Sequence, residues 1–232
     1  MKLSIIIPTY NEQRTIQELV ASIEAVPFAV EFEIVVVDDA STDRTAEKLT
    51  AMPLRGARGG FRLVKNQINR GKGFSIREGI RYASGDFMIV QDADDEYDPR
   101  DIPRLIEPII KGEAAVVYGS RFMNSFYPKG MALPNWMANR LLTWMTNLLF
   151  GLRLTDMETC YKAFRSDIIK NLPLRCNRFE FEPEITALLA KAGHPIAELP
   201  ISYSGRTRRM GKKIRVIDFF IAFICLIRYR FF

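Results

Sequence analysis

The chain has 232 residues, 48% of them hydrophobic and 26% charged, a composition that suits one folded domain with a substantial core and excludes a disordered or low-complexity chain. The formal net charge of +6 is unevenly placed: residues 204–232 hold eight cations against Asp218 alone, or +7, and the rest of the chain sums to −1. Those cations bracket the apolar run 216–227, which points to an anionic membrane surface and not to nucleic acid, whose binders spread basic residues over a folded face. Cys160, Cys176 and Cys225 are odd in number and widely spaced; they offer neither a disulfide framework nor a metal-ligand pattern and suit a reducing cytosol.

From the N-terminus, residues 1–7 are too short before Pro8 for a signal-peptide core and read as a first buried strand. Pro8, Thr9, Tyr10, Asn11 and Glu12 follow as a polar loop. Ile16, Leu19, Val20 and Ile23 then recur at helical spacing, with Asn11 placed to cap the helix. The unit repeats with a β-branched strand at 33–37, a loop at 38–41, and a helix holding Ala46 and Leu49 that Thr42 is expected to cap. Residues 61–64 read as a third strand, 69–73 as a glycine turn carrying Lys72, 74–83 as a helix and 87–90 as a fourth strand. Apolar strands alternating with helices indicate an α/β fold whose mostly parallel sheet is covered on both faces. Ligands sit at the carboxyl ends of such strands, so the polar loops are expected to gather on one edge.

The loop after the fourth strand is Gln91, Asp92, Ala93, Asp94, Asp95. Carboxylates this close raise one another's pKa unless a cation neutralises them. Oxygen-only ligands suit Mg²⁺ or Mn²⁺, which commonly bind through one or two carboxylates plus water and substrate phosphates. A solvated acidic turn is the alternative.

Further on, Pro99 fits the first turn of a helix to about Ile110, and 114–118 read as a strand ending at Gly119, Ser120 and Arg121. Residues 124–134, rich in Pro, Gly and aromatics, read as a mobile loop. Residues 136–152 form an apolar helix with Trp136 and Trp144, facing either core or lipid. Glu182 and Glu184 fall in the first turn of a later helix, where acidic residues suit the positive terminus. His194 lies in a Gly-His-Pro turn without a metal partner in reach. Residues 204–213, with two glycines and five cations, suit a flap that closes over phosphates. The apolar run 216–227 falls short of the roughly 20 residues a membrane span needs. It reads as an in-plane helix, with packing on the core or on a second copy in a homo-oligomer left open.

Taken together, Ile7-Pro8-Thr9-Tyr10-Asn11-Glu12, Val37-Asp38-Asp39, Gly71-Lys72-Gly73, Gln91-Asp92-Ala93-Asp94, Asp98-Pro99, Gly119-Ser120-Arg121 and the stretch from Thr155 through Asp156 and Glu158 to Arg165 carry a resemblance. The chain resembles the family 2 glycosyltransferases, and within them the polyprenyl-phosphate sugar synthases of dolichol-phosphate mannose synthase type. The resemblance implies a GT-A type nucleotide-sugar-binding fold over 1–205, followed by a basic flap and membrane-interface helix over 206–232. It implies that Pro8, Tyr10, Glu12, Val37, Asp39, Lys72, Asp92 and Ala93 hold the nucleotide sugar, and that Asp92 and Asp94, with Gln91 or Asp95 as a further ligand, hold Mg²⁺ or Mn²⁺. Asp94 and Arg121 are the catalytic candidates; Arg121, Arg140, Arg206 and Lys212 are the candidates for the acceptor phosphate. Asp156, Glu182 and Glu184 are expected near the site or in structural roles.

The implied reaction is inverting transfer of a hexose, mannose or glucose, from GDP-mannose or UDP-glucose to dolichyl or undecaprenyl phosphate at the cytoplasmic face of the membrane. Because a lipid monophosphate is largely ionised at neutral pH, its second pKa being about 6, no general base is required. Transfer to a sugar hydroxyl in polysaccharide or glycan assembly is the alternative, and it needs a carboxylate base. Larger relatives carry further C-terminal spans; without them, flipping of the glycolipid is expected of another protein.

Overall fold

The apolar runs form the sheet. In the computed structural model, which describes residues 1–52, 60–206 and 216–232, the strands are β1 (Lys2–Thr9), β2 (Glu31–Asp38), β3 (Phe61–Lys65), β4 (Phe87–Val90), β5 (Val116–Ser120), β6 (Lys162–Arg165) and β7 (Ala197–Pro200). They make one seven-stranded sheet in the order β3-β2-β1-β4-β6-β5-β7. Strands β1 to β4 run parallel. β6 is antiparallel to both its neighbours, and β5 and β7 pair in parallel. Ile5, Ile6, Ile7, Ile34, Val36 and Ile89 are fully buried, as continuous apolar strands between two helical layers must be.

The helices are α1 (Ile16–Glu24), α2 (Thr45–Thr50), α3 (Lys72–Tyr82), α4 (Ile102–Ile110), α5 (Leu133–Phe150), α6 (Ser166–Asn171), α7 (Phe181–Lys191) and α8 (Val216–Phe231). Ile16, Leu19, Val20 and Ile23 of α1 are all buried, as their spacing predicts. α3 lies so close on β1 that a Cβ at Gly79 would run into Ile6. A 3-10 turn, Pro99–Asp101, precedes α4, and the Asp98 side chain accepts from the Arg100 N–H at its start.

Two expected caps are absent. Asn11 has a left-handed φ of 51°, and its Oδ1 accepts from the backbone N–H of Thr42 at 2.8 Å and of Asp43 at 3.3 Å. It therefore clamps the loop after β2, and Thr15 takes the N-cap position of α1. Thr42 does not cap α2, which starts at Thr45; the Thr45 N–H donates to Asp43 Oδ1 at 2.9 Å. Short polar side chains serve loops as readily as helices, so residue type alone did not settle these positions.

The aromatic helix α5 begins earlier than its apolar content predicts and is not enclosed: Trp144 is 60% and Leu148 68% exposed. α8 joins the core through Ala222, Cys225 and Leu226 while leaving Ile217, Phe220 and Ile224 exposed. Among the described residues no helix is long and apolar enough to cross a membrane. The packing of α8 also brings Cys225 Sγ within 4.0 Å of Cys176 Sγ, both free thiols. The greater part of the expected flap, and Lys212 with it, lies outside the described residues.

Candidate active site

The chain winds outward from β1 to β2 and β3, and β4 lies on the other side of β1. The carboxyl ends of β1 and β4 therefore flank a topological switch point, where open α/β sheets bind ligands. A cavity of about 1530 Å³ opens there. Its lining draws Pro8 from the carboxyl end of β1, where a polar loop was expected, Tyr10 and Glu12 from the loop that follows, Asp39 from the end of β2, and Lys72 from the start of α3. Asp92, Ala93 and Asp94 line it from the end of β4, with Arg121, Arg140 and Arg206 on the remaining wall.

Three expected site residues, Val37, Gln91 and Asp95, are not part of this cavity. Val37 is fully buried within β2, so its side chain belongs to the core. Gln91 is fully buried as well; its amide donates to the Asp92 carbonyl at 2.9 Å and its Oε1 accepts from Tyr161 Oη at 2.5 Å. Tyr161 leads into β6, so that bond turns Gln91 toward the antiparallel strand and away from the crevice. Asp95 is exposed and likewise lies outside the cavity.

At one end, Asp39 organises the glycine turn. Its carboxylate accepts from the N–H of Arg70 at 3.0 Å, from Gly71 at 2.6 Å and from Asn66 Nδ2 at 2.7 Å. Gly71 has φ of 100°, and a Cβ there would meet the Asn177 carbonyl oxygen. Both the left-handed backbone and the close approach therefore require glycine.

At the centre, Asp92 Oδ1 bonds Lys72 Nζ at 2.8 Å, and the same ammonium reaches Glu182 Oε1 at 3.3 Å. Burial alone would lower the Lys72 pKa, but Asp92 and Glu182 outweigh it and hold the group well above its usual range. Burial likewise opposes ionisation of Asp92, and Lys72 keeps that carboxyl below its usual value. Asp94 behaves oppositely: burial, then the charge of Asp92, push it up to about 7 against the pull of Arg206. Arg206 Nη2 donates to Asp94 Oδ2 at 2.7 Å, and its Nη1 to Glu12 Oε2 at 3.2 Å. Glu96 anchors that arginine by accepting from its backbone N–H at 2.8 Å.

This donor set fits a hard divalent cation. Two carboxylates stand side by side, one raised by the other's charge, and both draw cationic side chains. Among the described residues no group of three His, Cys, Asp or Glu side chains converges as a complete metal site. Asp92 and Asp94 would therefore supply the protein's share, with water and phosphate oxygens supplying the remainder.

On the far wall, Arg121 forms a bidentate pair with Asp156, Nε to Oδ2 and Nη2 to Oδ1 at 2.7 Å each. Nη2 also donates to Asn139 at 3.0 Å. Arg121 is thus both a buried ion-pair partner and a cavity wall, and Asp156 positions it. Burial works against its charge, but Asp156 prevails and raises the pKa further. Arg140 is exposed at the rim, with its guanidinium 5.5 Å from the Phe122 ring centre. Glu182 lines the cavity and also pairs with the buried Lys162. Glu184 does not line it; it accepts from the N–H of Arg175 and Cys176 and from Tyr229 Oη. His194 only closes the end of α7, its N–H donating to the Leu189 carbonyl at 3.0 Å.

Sequence reasoning missed Glu96, Asn139 and Glu158. Glu158 lay in sight within the stretch from Thr155 to Arg165; Glu96 and Asn139 carry no local signal.

Known proteins resemble this chain in sequence and in fold. The sequence profile of glycosyl transferase family 2 matches residues 4–172. A dolichol-phosphate mannosyltransferase of Pyrococcus furiosus is 32% identical over 219 residues, spanning 91% of this chain and 59% of the relative. A dodecaprenyl-phosphate galacturonate synthase of Rhizobium johnstonii is 28% identical over 238 residues, spanning 99% of this chain and 68% of the relative. Among solved structures, glucosyl-3-phosphoglycerate synthase of Mycobacterium tuberculosis, crystallised with Mn²⁺, UDP and glucosyl-3-phosphoglycerate, superposes with a TM-score of 0.72 at 20% identity. That superposition covers 99% of this chain and 80% of the other. A profile that begins in β1 and runs through β4, its acidic loop and β6 covers most of the machinery just described, and on that match the chain belongs to glycosyl transferase family 2.

Proposed function

We propose that the protein transfers a hexose from a nucleotide sugar to a polyprenyl phosphate, with a divalent cation at Asp92 and Asp94. The observation that carries this reading is the cavity itself, whose lining joins the carboxylate pair Asp92 and Asp94 to Arg121, Arg140 and the exposed apolar residues Met137 and Leu141 of α5. When bound, the cation neutralises charge on the leaving nucleotide. Pro8, Tyr10 and the turn that Asp39 holds shape the nucleoside end. Lys72 keeps Asp92 ionised and oriented. Arg206 stands beside the acidic pair, from which it can turn to a phosphate. Arg121, rigid on Asp156, and Arg140 at the rim hold the acceptor phosphate for attack on C1 from the side opposite the leaving group, which gives inversion.

The mouth of the cavity supports a lipid acceptor. Met137, Leu141, Trp144 and Leu148 recur along one exposed face of α5, and Ile217, Phe220 and Ile224 along one exposed face of α8. Met137, Leu141 and Phe219 also line the cavity, so the apolar surface continues into it. Such a surface, with basic residues nearby, suits the cytoplasmic leaflet. The P. furiosus and R. johnstonii relatives are named for prenyl-phosphate acceptors, in agreement with this reading.

A purified sample supplied with a prenyl phosphate, Mn²⁺ and a panel of nucleotide sugars is expected to form glycolipid. Asp94→Asn is expected to abolish it, and undiminished transfer by that variant would remove the metal assignment. One observation favours a second reading, transfer to a hydroxyl: the cavity contains Glu158, whose carboxyl is raised to about 7, chiefly by burial, in the range of a general base. Soluble hydroxyl acceptors in the same assay separate the two.

A further inference from the structure

Glu158 is the one cavity-lining carboxyl with a buried, unbonded oxygen among the described residues: its Oε1 is shut off from solvent and has no hydrogen-bond partner. Asp92, Asp94 and Glu182 each have a cationic partner, and Asp39 is satisfied by the glycine turn. A buried acceptor left without a donor is unfavourable, so its presence in a binding cavity calls for a ligand that donates to it.

The placement narrows the ligand. Glu182, which meets Lys72 and Lys162, also acts on Glu158, as do Lys162 and Arg121. Glu158 lines the same cavity as the Lys72–Asp92 pair, where a diphosphate would sit, and Arg121, where the acceptor would arrive. The group crossing that space in a glycosyl transfer is the sugar. Of the two cations that act on Glu158, Lys162 is taken by Glu182 and the Thr159 carbonyl, and Arg121, paired with Asp156, faces the acceptor phosphate in the reading above. An anionic sugar there would meet like charge without a fresh counter-ion, whereas a hydroxyl would give the missing donor.

We propose that Glu158 selects the donor sugar by accepting a hydrogen bond from a hydroxyl of a neutral hexose, and that it disfavours a hexuronate at the same place. This deepens the nucleotide-sugar reading above and rests on it. Burial and then Glu182 raise the Glu158 carboxyl to about 7, against Lys162 and Arg121; its ionised form, which only accepts, is the form that discriminates.

The test is calorimetry on the full chain with Mn²⁺, using UDP, UDP-glucose and UDP-glucuronate, and in parallel GDP and GDP-mannose, for the wild type, Glu158→Gln and Glu158→Ala. In the wild type the neutral sugar is expected to tighten binding over the bare diphosphate and the glucuronate to weaken it. Glu158→Ala is expected to erase about tenfold of the hexose gain while leaving the bare diphosphate unchanged. Glu158→Gln, of the same shape but uncharged, is expected to keep most of the hexose gain and to narrow the gap to the glucuronate. Unchanged hexose-to-diphosphate and hexose-to-glucuronate ratios in both variants would overturn the proposal, as would a wild type for which neither sugar alters affinity. A fall in turnover with those ratios intact would make Glu158 a base and overturn it as well. The binding ratios do not depend on the acceptor. A wild type with the expected ratios that makes no glycolipid would therefore count against the prenyl-phosphate reading alone.

Discussion

Arg206 and Asp94, 112 residues apart, are joined by a 2.7 Å hydrogen bond from Nη2 to Oδ2. The same guanidinium reaches Glu12, and Glu96 anchors its backbone. A cation from the edge of the basic segment thus pairs with Asp94, one of the two carboxylates proposed for the divalent ion.

If Arg206 competes with the metal, its removal has opposite effects on two measurements. Arg206→Gln is expected to bind Mn²⁺ about tenfold more tightly in the absence of nucleotide, because a charge-assisted bond no longer has to be broken. Its transfer rate is expected to fall, because a phosphate-facing cation is gone. Titration calorimetry and steady-state kinetics read the two; unchanged metal affinity would show that Arg206 does not compete.

Metal binding should also depend on pH, since only the carboxylate form of Asp94 is a good ligand. Its pKa is raised to about 7, first by burial and then by Asp92. Below that value the ion must displace a proton; above it the group is already ionised. Mn²⁺ affinity is expected to rise up to tenfold per pH unit toward about 7 and to flatten beyond. The Asp94→Asn protein should lack this inflection, and calorimetry between pH 5.5 and 8.5, a range set about the carboxyl's midpoint, would display it.

Away from the site, Glu33 is a buried structural carboxylate. Burial would raise its pKa, but bonds from Lys2 Nζ at 2.8 Å, Ser4 Oγ at 2.6 Å and the Ser84 N–H at 2.6 Å prevail and lower it to about 2. A folded-state pKa below the unfolded value stabilises the fold above about pH 4.3, and that stabilisation is lost as pH falls toward about 2. Glu33→Gln is expected to lose on the order of 2 kcal/mol at pH 7 and progressively less toward pH 2. Urea unfolding at a series of pH values provides the comparison.

For the apolar face, point changes are more informative than truncation. Removing residues 214–232 would uncover the surfaces of α5 and α7 on which α8 packs. Phe220→Glu combined with Ile224→Glu alters only side chains that are 53% and 62% exposed. This pair is expected to abolish flotation with anionic vesicles while leaving the unfolding midpoint nearly unchanged. High salt should release the wild type only in part, because screening weakens charge attraction but not apolar burial. Complete release by salt would show that the apolar face is not buried in lipid.

The parallel half of the sheet was legible in the sequence because each of its strands is an almost continuous apolar run followed at once by a polar loop. β4 was foreseen to its boundaries at Phe87 and Val90. The antiparallel β6 was not, since Lys162–Arg165 is four residues long and starts and ends with a cation. Its Lys162 is buried only because Glu182, brought from α7, neutralises it.

The sequence by itself determined which loops carry the carboxylates, the glycine turn and the arginines, and that an α/β sheet would bring them to one edge. That follows from strand periodicity and from the rule that parallel strands share a carboxyl end. Tertiary structure decided how those groups divide the work. Gln91 turned to Tyr161, Arg121 became fixed on Asp156, Arg206 reached Asp94, and Glu158 was left with an unbonded oxygen. Hydrogen bonds and ion pairs between residues distant in the chain depend on distance and burial, which only the folded arrangement supplies.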